Sequence, residues 1–96
     1  MSNGNFKHDL FTHFARIGKA LSNANRLELL EFIAQGERSV DGLARVSGLT
    51  VANTSQHLQQ LRRAGLVTSR RDGKAVIYRL TDAKTLQRMD LLRIVA

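Results

Sequence analysis

Residues 50–65 read Thr-Val-Ala-Asn-Thr-Ser-Gln-His-Leu-Gln-Gln-Leu-Arg-Arg-Ala-Gly and hold the side-chain amides Asn53, Gln56, Gln59 and Gln60, with no Asp or Glu. An amide donates and accepts together, which suits the major-groove edge of adenine. Taken as a helix capped by Thr50, the segment puts Thr54, Leu58 and Leu61 on one stripe, the i, i+4, i+7 spacing of a buried face. Ala52, Gln56, Gln59, Gln60 and Arg63 then share the opposite face, flanked by Asn53. A solvated helix mixes both charge signs, whereas a helix set against phosphates does not tolerate carboxylates. The expectation is a recognition helix. Asn53 and Gln56 read base edges, and Thr50 and Ser55 fix register on phosphates at the helix N-terminus. Gln60, Arg62 and Arg63 extend the contact surface toward the C-terminal end, where cations also suit the helix dipole.

Such a surface needs elements to hold it. Leu10, Phe11, Phe14, Ile17 and Leu21 recur at helical spacing, which predicts a first amphipathic helix over 9–21 after a disordered start at 1–5. Asn23 caps a second helix reaching Gln35, with Leu27, Leu30, Ile33 and Ala34 inward and Gly36 ending it. Ser39 caps a short third helix over 40–47, and Gly48 supplies the turn before Thr50 opens the amide helix. Two helices joined by about three residues containing Gly form a helix-turn-helix.

After Gly65 the period changes from helical to alternating. Leu66–Arg71 and Lys74–Leu80 read as strands around an Asp72-Gly73 turn, with Val76, Tyr78 and Leu80 on one face. Arg70, Arg71 and Lys74 flank the turn and are expected on phosphates or in the minor groove. Thr81 caps a last helix with Leu86, Met89 and Ile94 inward. The fold class is therefore mainly α with a small β-hairpin, a winged helix-turn-helix in the order α-α-α-α-β-β-α, forming one domain over 1–96.

Bulk properties agree. The 96 residues carry 15 Lys and Arg against 8 Asp and Glu, a net charge of +7. Six of the cations (Arg62, Arg63, Arg70, Arg71, Lys74, Arg79) fall in 62–79 beside one acid, Asp72. Charge alone favours a polyanionic partner without distinguishing nucleic acid from an anionic membrane, and its concentration beside the amide helix points to double-stranded DNA. The absence of cysteine removes disulfides, thiolate metal sites and thiol switches. No secretory or membrane-spanning apolar run occurs, so the expected location is the cytoplasm, with no membrane partner. No nucleophile-base arrangement, phosphate loop or carboxylate pair suggests an enzyme, and no catalytic residue is assigned.

Lys19-Ala20-Leu21-Ser22 with Arg26-Leu27-Glu28-Leu29-Leu30, then 55–67 and the wing 70–80, resemble the ArsR/SmtB family of winged-helix transcriptional repressors. The likeness runs from about Gly18 to Leu80. It implies a homodimer built from the first and last helices, with two recognition helices in successive major grooves of an inverted repeat. Phe6, Leu10, Phe11, Phe14 and Ile17 exceed what one helix buries in so small a core. Burial in a dimer, with Phe6, Leu10, Phe11 and Phe14 meeting Leu86, Met89 and Leu92, explains the excess better than a ligand pocket there. Many such sensors carry Cys-x-Cys where this chain has Ser39-Val40-Asp41, and hard oxygen ligands do not replace soft thiolates. Others use His on the last helix, which here has none. Neither metal site is expected, no cofactor is assigned, and the effector is unspecified.

Asp9 and His13, spaced i, i+4, are too few for a metal site by themselves. His57 borders the buried stripe and is expected to be packed and hydrogen-bonded. Two other readings stand beside the repressor: a winged-helix protein-interaction module, and an N-terminal regulatory domain of a larger protein such as a rhodanese fusion.

Overall fold

A computed structural model describes the backbone of residues 3–82 and the side chains of residues 5–82. The elements are α1 (Asn3–Leu21), α2 (Ala24–Ala34), β1 (Arg38–Ser39), α3 (Val40–Ser47), α4 (Val51–Arg63), β2 (Val67–Asp72) and β3 (Ala75–Leu80). The expected last helix, with Leu86, Met89, Leu92 and Ile94, lies outside the described residues.

Three caps start three helices where the sequence puts them. The side chains of Asn23, Ser39 and Thr50 accept from the backbone N–H of Arg26, Gly42 and Asn53 at 3.1, 2.9 and 3.0 Å, each satisfying a donor that the first turn leaves free. Gly48 closes α3 at φ 76°, a left-handed conformation that disfavours any residue with a Cβ, so the chain turns sharply into α4. At the other end of α4, Gly65 donates to the Arg62 carbonyl (2.9 Å) and Leu66 to the Leu61 carbonyl (3.0 Å). This paired termination stops the helix and starts β2.

The core lies where α2, α3 and α4 meet the sheet. Leu29, Leu43, Leu58, Leu61, Val67 and Thr54 are fully buried, joined by Ala20, Ile33, Ala64 and Tyr78. All three strands pair antiparallel in the order β1-β3-β2, with Arg38 opposite Tyr78 and Ser69 opposite Tyr78 from the other side. Successive strand residues point to opposite faces, so Val67, Ser69, Arg71, Val76 and Tyr78 share the core-side face. Thr68, Arg70, Ile77 and Arg79 share the outer one.

Four expectations change. The first helix begins at Asn3, so Asn3–Asn5 are helical and not disordered. In α2 the inward residues are Arg26, Leu29 and Ile33, while Leu27 is 49% exposed and Ala34 is exposed. The stripe is rotated because Arg26 is drawn inward to the end of α1. The hairpin gains β1, two residues too short to show a period. Asp72 pairs with Ala75, leaving Gly73-Lys74 as the two-residue loop, one position later than expected. Gly73 has φ 63° and among the described residues no non-glycine has positive φ, the pattern of a loop with Gly at its first position. Leu80, opposite Val67, shares the face of Val76 and Tyr78 as expected, although it is 40% exposed at the sheet's end.

Candidate nucleic-acid interface

The α4 helix divides as its sequence requires. Thr54, Leu58 and Leu61 have no exposed surface, while Ala52, Asn53, Gln56, Gln59, Arg62 and Arg63 are exposed. Asn53 and Gln56 thus stand in solvent on the first two turns, where backbone N–H groups and the positive helix end also face outward. Thr50 is exposed beside them, its Oγ1 occupied as the cap acceptor.

The wing approaches this end of α4. Ser39, Val40, Asp41, Val51, Ser55, Lys74, Ala75 and Val76 line one groove of about 220 Å³. Ser55 of α4 and Lys74 of the loop therefore border the same depression. Arg71, exposed, lies on the core-side sheet face that Tyr78 occupies further in. Thr50, Asn53, Gln56, Arg71 and Lys74 are all exposed, and of these Lys74 borders the groove that Ser55 lines. Asp41 lies on its border, an acid that the reading of the wing alone did not include.

Arg70 departs from this grouping. It lies on the outer sheet face and donates from Nη1 to Glu37 Oε2 (2.9 Å) and from Nη2 to Glu37 Oε1 (3.1 Å). Arg79 on the same face meets Asp82 at 3.3 Å. Strand alternation is the reason: adjacent arginines on one strand cannot face one way. The partner Glu37 precedes β1, the strand that the sequence did not reveal. Gln60 is half-buried and, with Arg63, turns toward α1, where both line a separate groove with Arg16, Lys19 and Ala20.

His57 is half-buried, and its Nδ1 accepts from Arg26 Nη1 at 3.3 Å, which places the neutral ring's proton on Nε2. Burial, then the Arg26 charge, lowers its pKa below the ordinary 6.5. Arg26 is itself only 8% exposed and donates from Nε to the Ala20 carbonyl (2.8 Å) and from Nη2 to the Lys19 carbonyl (3.1 Å). One guanidinium thus ties the C-terminal end of α1 to α2 and to the inner flank of α4. The sequence reading gave Arg26 no role. The signal was present, since 26, 29 and 33 share a stripe on which Arg26 is the one charge.

Among the described residues no group of three or more His, Asp or Glu is placed to hold a metal ion. No described helix is long and apolar enough to cross a membrane.

A helix-turn-helix followed by a hairpin that returns beside the second helix's N-terminus defines a winged-helix DNA-binding domain. Comparisons narrow the class. Residues 23–69 match the profile of the arsR family of bacterial regulatory proteins. The chain is 39% identical over 90 residues to an HTH-type transcriptional regulator of Mycobacterium tuberculosis, covering 94% of this chain and 40% of that protein. It is 40% identical over 78 residues to the biofilm growth-associated repressor of Xylella fastidiosa, covering 81% of this chain and 68% of the repressor. Its fold superimposes with a TM-score of 0.80, at 37% identity, on a solution structure from Mycobacterium bovis described as a homodimeric winged helix-turn-helix DNA-binding domain. That match covers 99% of this chain and 86% of the other. The chain belongs to the ArsR family of bacterial transcriptional regulators. It spans less than half the length of the M. tuberculosis relative.

Proposed function

We propose that this chain represses transcription as a cytoplasmic homodimer whose two α4 helices enter successive major grooves of an inverted-repeat operator. The carrying observation is the exposure of Asn53 and Gln56 on an acid-free helix face, with Lys74 bordering the same groove as Ser55. Asn53 and Gln56 read base edges. Thr50, Ser55, Arg71 and Lys74 hold phosphates and set the register. Arg63 and Gln60 extend the contact at the C-terminal end of α4. Arg70 contributes charge from the outer face of the wing, where Glu37 partly neutralises it.

The homodimer reading is supported by α1. Ile17 and Ala20 pack on the core, while Phe6, Phe11 and Phe14 are 41%, 62% and 51% exposed. Phenylalanines that open to water on one helix need a cover, and the M. bovis domain of the same fold is described as a homodimer. Phe6, Phe11 and Phe14, with half-buried Leu10, form the described part of that interface.

The test uses the promoter fragment of the chain's own operon and a random duplex of equal length. Gln56→Ala lowers the ratio of operator to random affinity by about 1–3 kcal/mol, the discrimination carried by an amide on adenine. Lys74→Ala weakens both duplexes alike. An unchanged ratio in Gln56→Ala refutes base reading by this residue.

A further inference from the structure

Arg16, Lys19 and Ala20 of α1 face Gln60 and Arg63 of α4 across a groove of about 490 Å³, larger than the one beside the wing. Three cations converge there from two helices, and among the described residues no carboxylate lines it. A neighbouring depression on the last turn of α4 adds Arg62. Arg16 and Lys19 precede the family-matched segment at 23–69 and belong to neither the exposed phenylalanine face nor the core.

Like charges that converge without an acid are repelled unless an anion occupies the space between them. The end of a helix usually repels anions through its free carbonyls. Here that end is already satisfied. The Lys19 carbonyl accepts from Ser22 Oγ (2.7 Å), Ser22 N–H (3.2 Å) and Arg26 Nη2 (3.1 Å), and the Ala20 carbonyl accepts from Arg26 Nε (2.8 Å). The buried Arg26 charge offsets the negative end of α1 from behind. Gln60 adds an amide donor on the α4 side. The groove also continues into the exposed face of α4, since Arg63 belongs to both.

We propose that the α1–α4 groove is a phosphate seat that takes a backbone phosphate of duplex DNA, with Arg16 and Lys19 as additional contacts beside α4. The inference rests on the DNA-binding reading above. It extends the footprint from the helix-turn-helix and wing onto the first helix.

The test is the salt dependence of binding to a random 24-base-pair duplex, which reports phosphate contacts without base reading. Losing one phosphate contact lowers the slope of log K against log salt by about 0.9 per protomer. Arg16→Gln/Lys19→Gln shows that loss, with thermal unfolding and dimer mass unchanged because both side chains are exposed. Lys7→Gln removes a cation elsewhere on α1 and keeps the slope. Wild-type binding with an unaltered slope in Arg16→Gln/Lys19→Gln overturns the seat alone. Failure of the wild type to bind any duplex overturns the DNA reading and the seat with it. A parallel titration with inorganic phosphate, followed at the amides of Lys19, Ala20, Gln60 and Arg63, separates the sources. Saturation by free phosphate with an unchanged duplex slope overturns DNA as the occupant.

Discussion

Replacing Arg26 by Met keeps the aliphatic stem and removes the guanidinium. Three hydrogen bonds disappear, but they are not equivalent. The Lys19 carbonyl retains Ser22 Oγ and Ser22 N–H, so little is lost there. His57 is half-buried and turns to water. The Ala20 carbonyl, on a residue 2% exposed, is left without the Nε donor, and a stranded buried acceptor costs about 1–3 kcal/mol. Loss of a partly buried cation at a helix C-terminus adds up to about 2 kcal/mol. Relief of the arginine's own desolvation acts in the opposite direction, which keeps the total below the roughly 3–5 kcal/mol of breaking a buried ion pair.

The expected destabilisation is about 2–3 kcal/mol, read as a shift of the urea midpoint at constant m-value. A pH series gives a second, independent reading. The folded-state pKa of His57 lies below 6.5, so its contribution is complete above pH 6.5 and is lost as pH falls from there through the folded value. Removing the Arg26 charge leaves burial as the main cause, so the acid-side loss becomes shallower without vanishing. A change smaller than about 0.5 kcal/mol together with an unaltered acid limb would refute the view that Arg26 anchors α1 to α4.

Two further perturbations address single side chains. Glu37→Gln removes a half-exposed ion pair, so stability falls by less than about 1 kcal/mol. It also frees Arg70, and random-duplex affinity rises with a steeper salt slope; an unchanged slope means Arg70 is too remote from the phosphates to act. Thr54 is fully buried and its Oγ1 has no hydrogen-bond partner, so Thr54→Val raises stability by about 1 kcal/mol in urea unfolding, and a lower midpoint would refute this.

What the sequence discloses follows from where its signals are local. Caps act over three residues, so Asn23, Ser39 and Thr50 announce the starts of α2, α3 and α4, and the stripe of Thr54, Leu58 and Leu61 announces which side of α4 is inward. β1 escaped because two residues carry no period, and its existence depends on β3, some forty positions away. Arg26 escaped because pattern reading counts apolar residues as inward, whereas this arginine is drawn in by carbonyls on the preceding helix. The separation of Arg70 from Arg71 was legible, since the alternation that grouped Val76 with Tyr78 also sets adjacent arginines apart. The α1–α4 groove was not legible, because nothing in a sequence says which exposed faces of two helices meet.

The threonine that opens α4 has one more consequence. Its oxygen takes the Asn53 N–H through a lone pair, while its own hydrogen remains available to give away. A single hydroxyl can therefore stabilise the first turn and serve an anion in front of it at the same time. Aspartate closes a helix start equally well, yet it offers no hydrogen and sets a negative charge toward a polyanion. Position 50 thus admits a substitution that leaves folding intact and weakens attraction, separating the two roles that threonine combines.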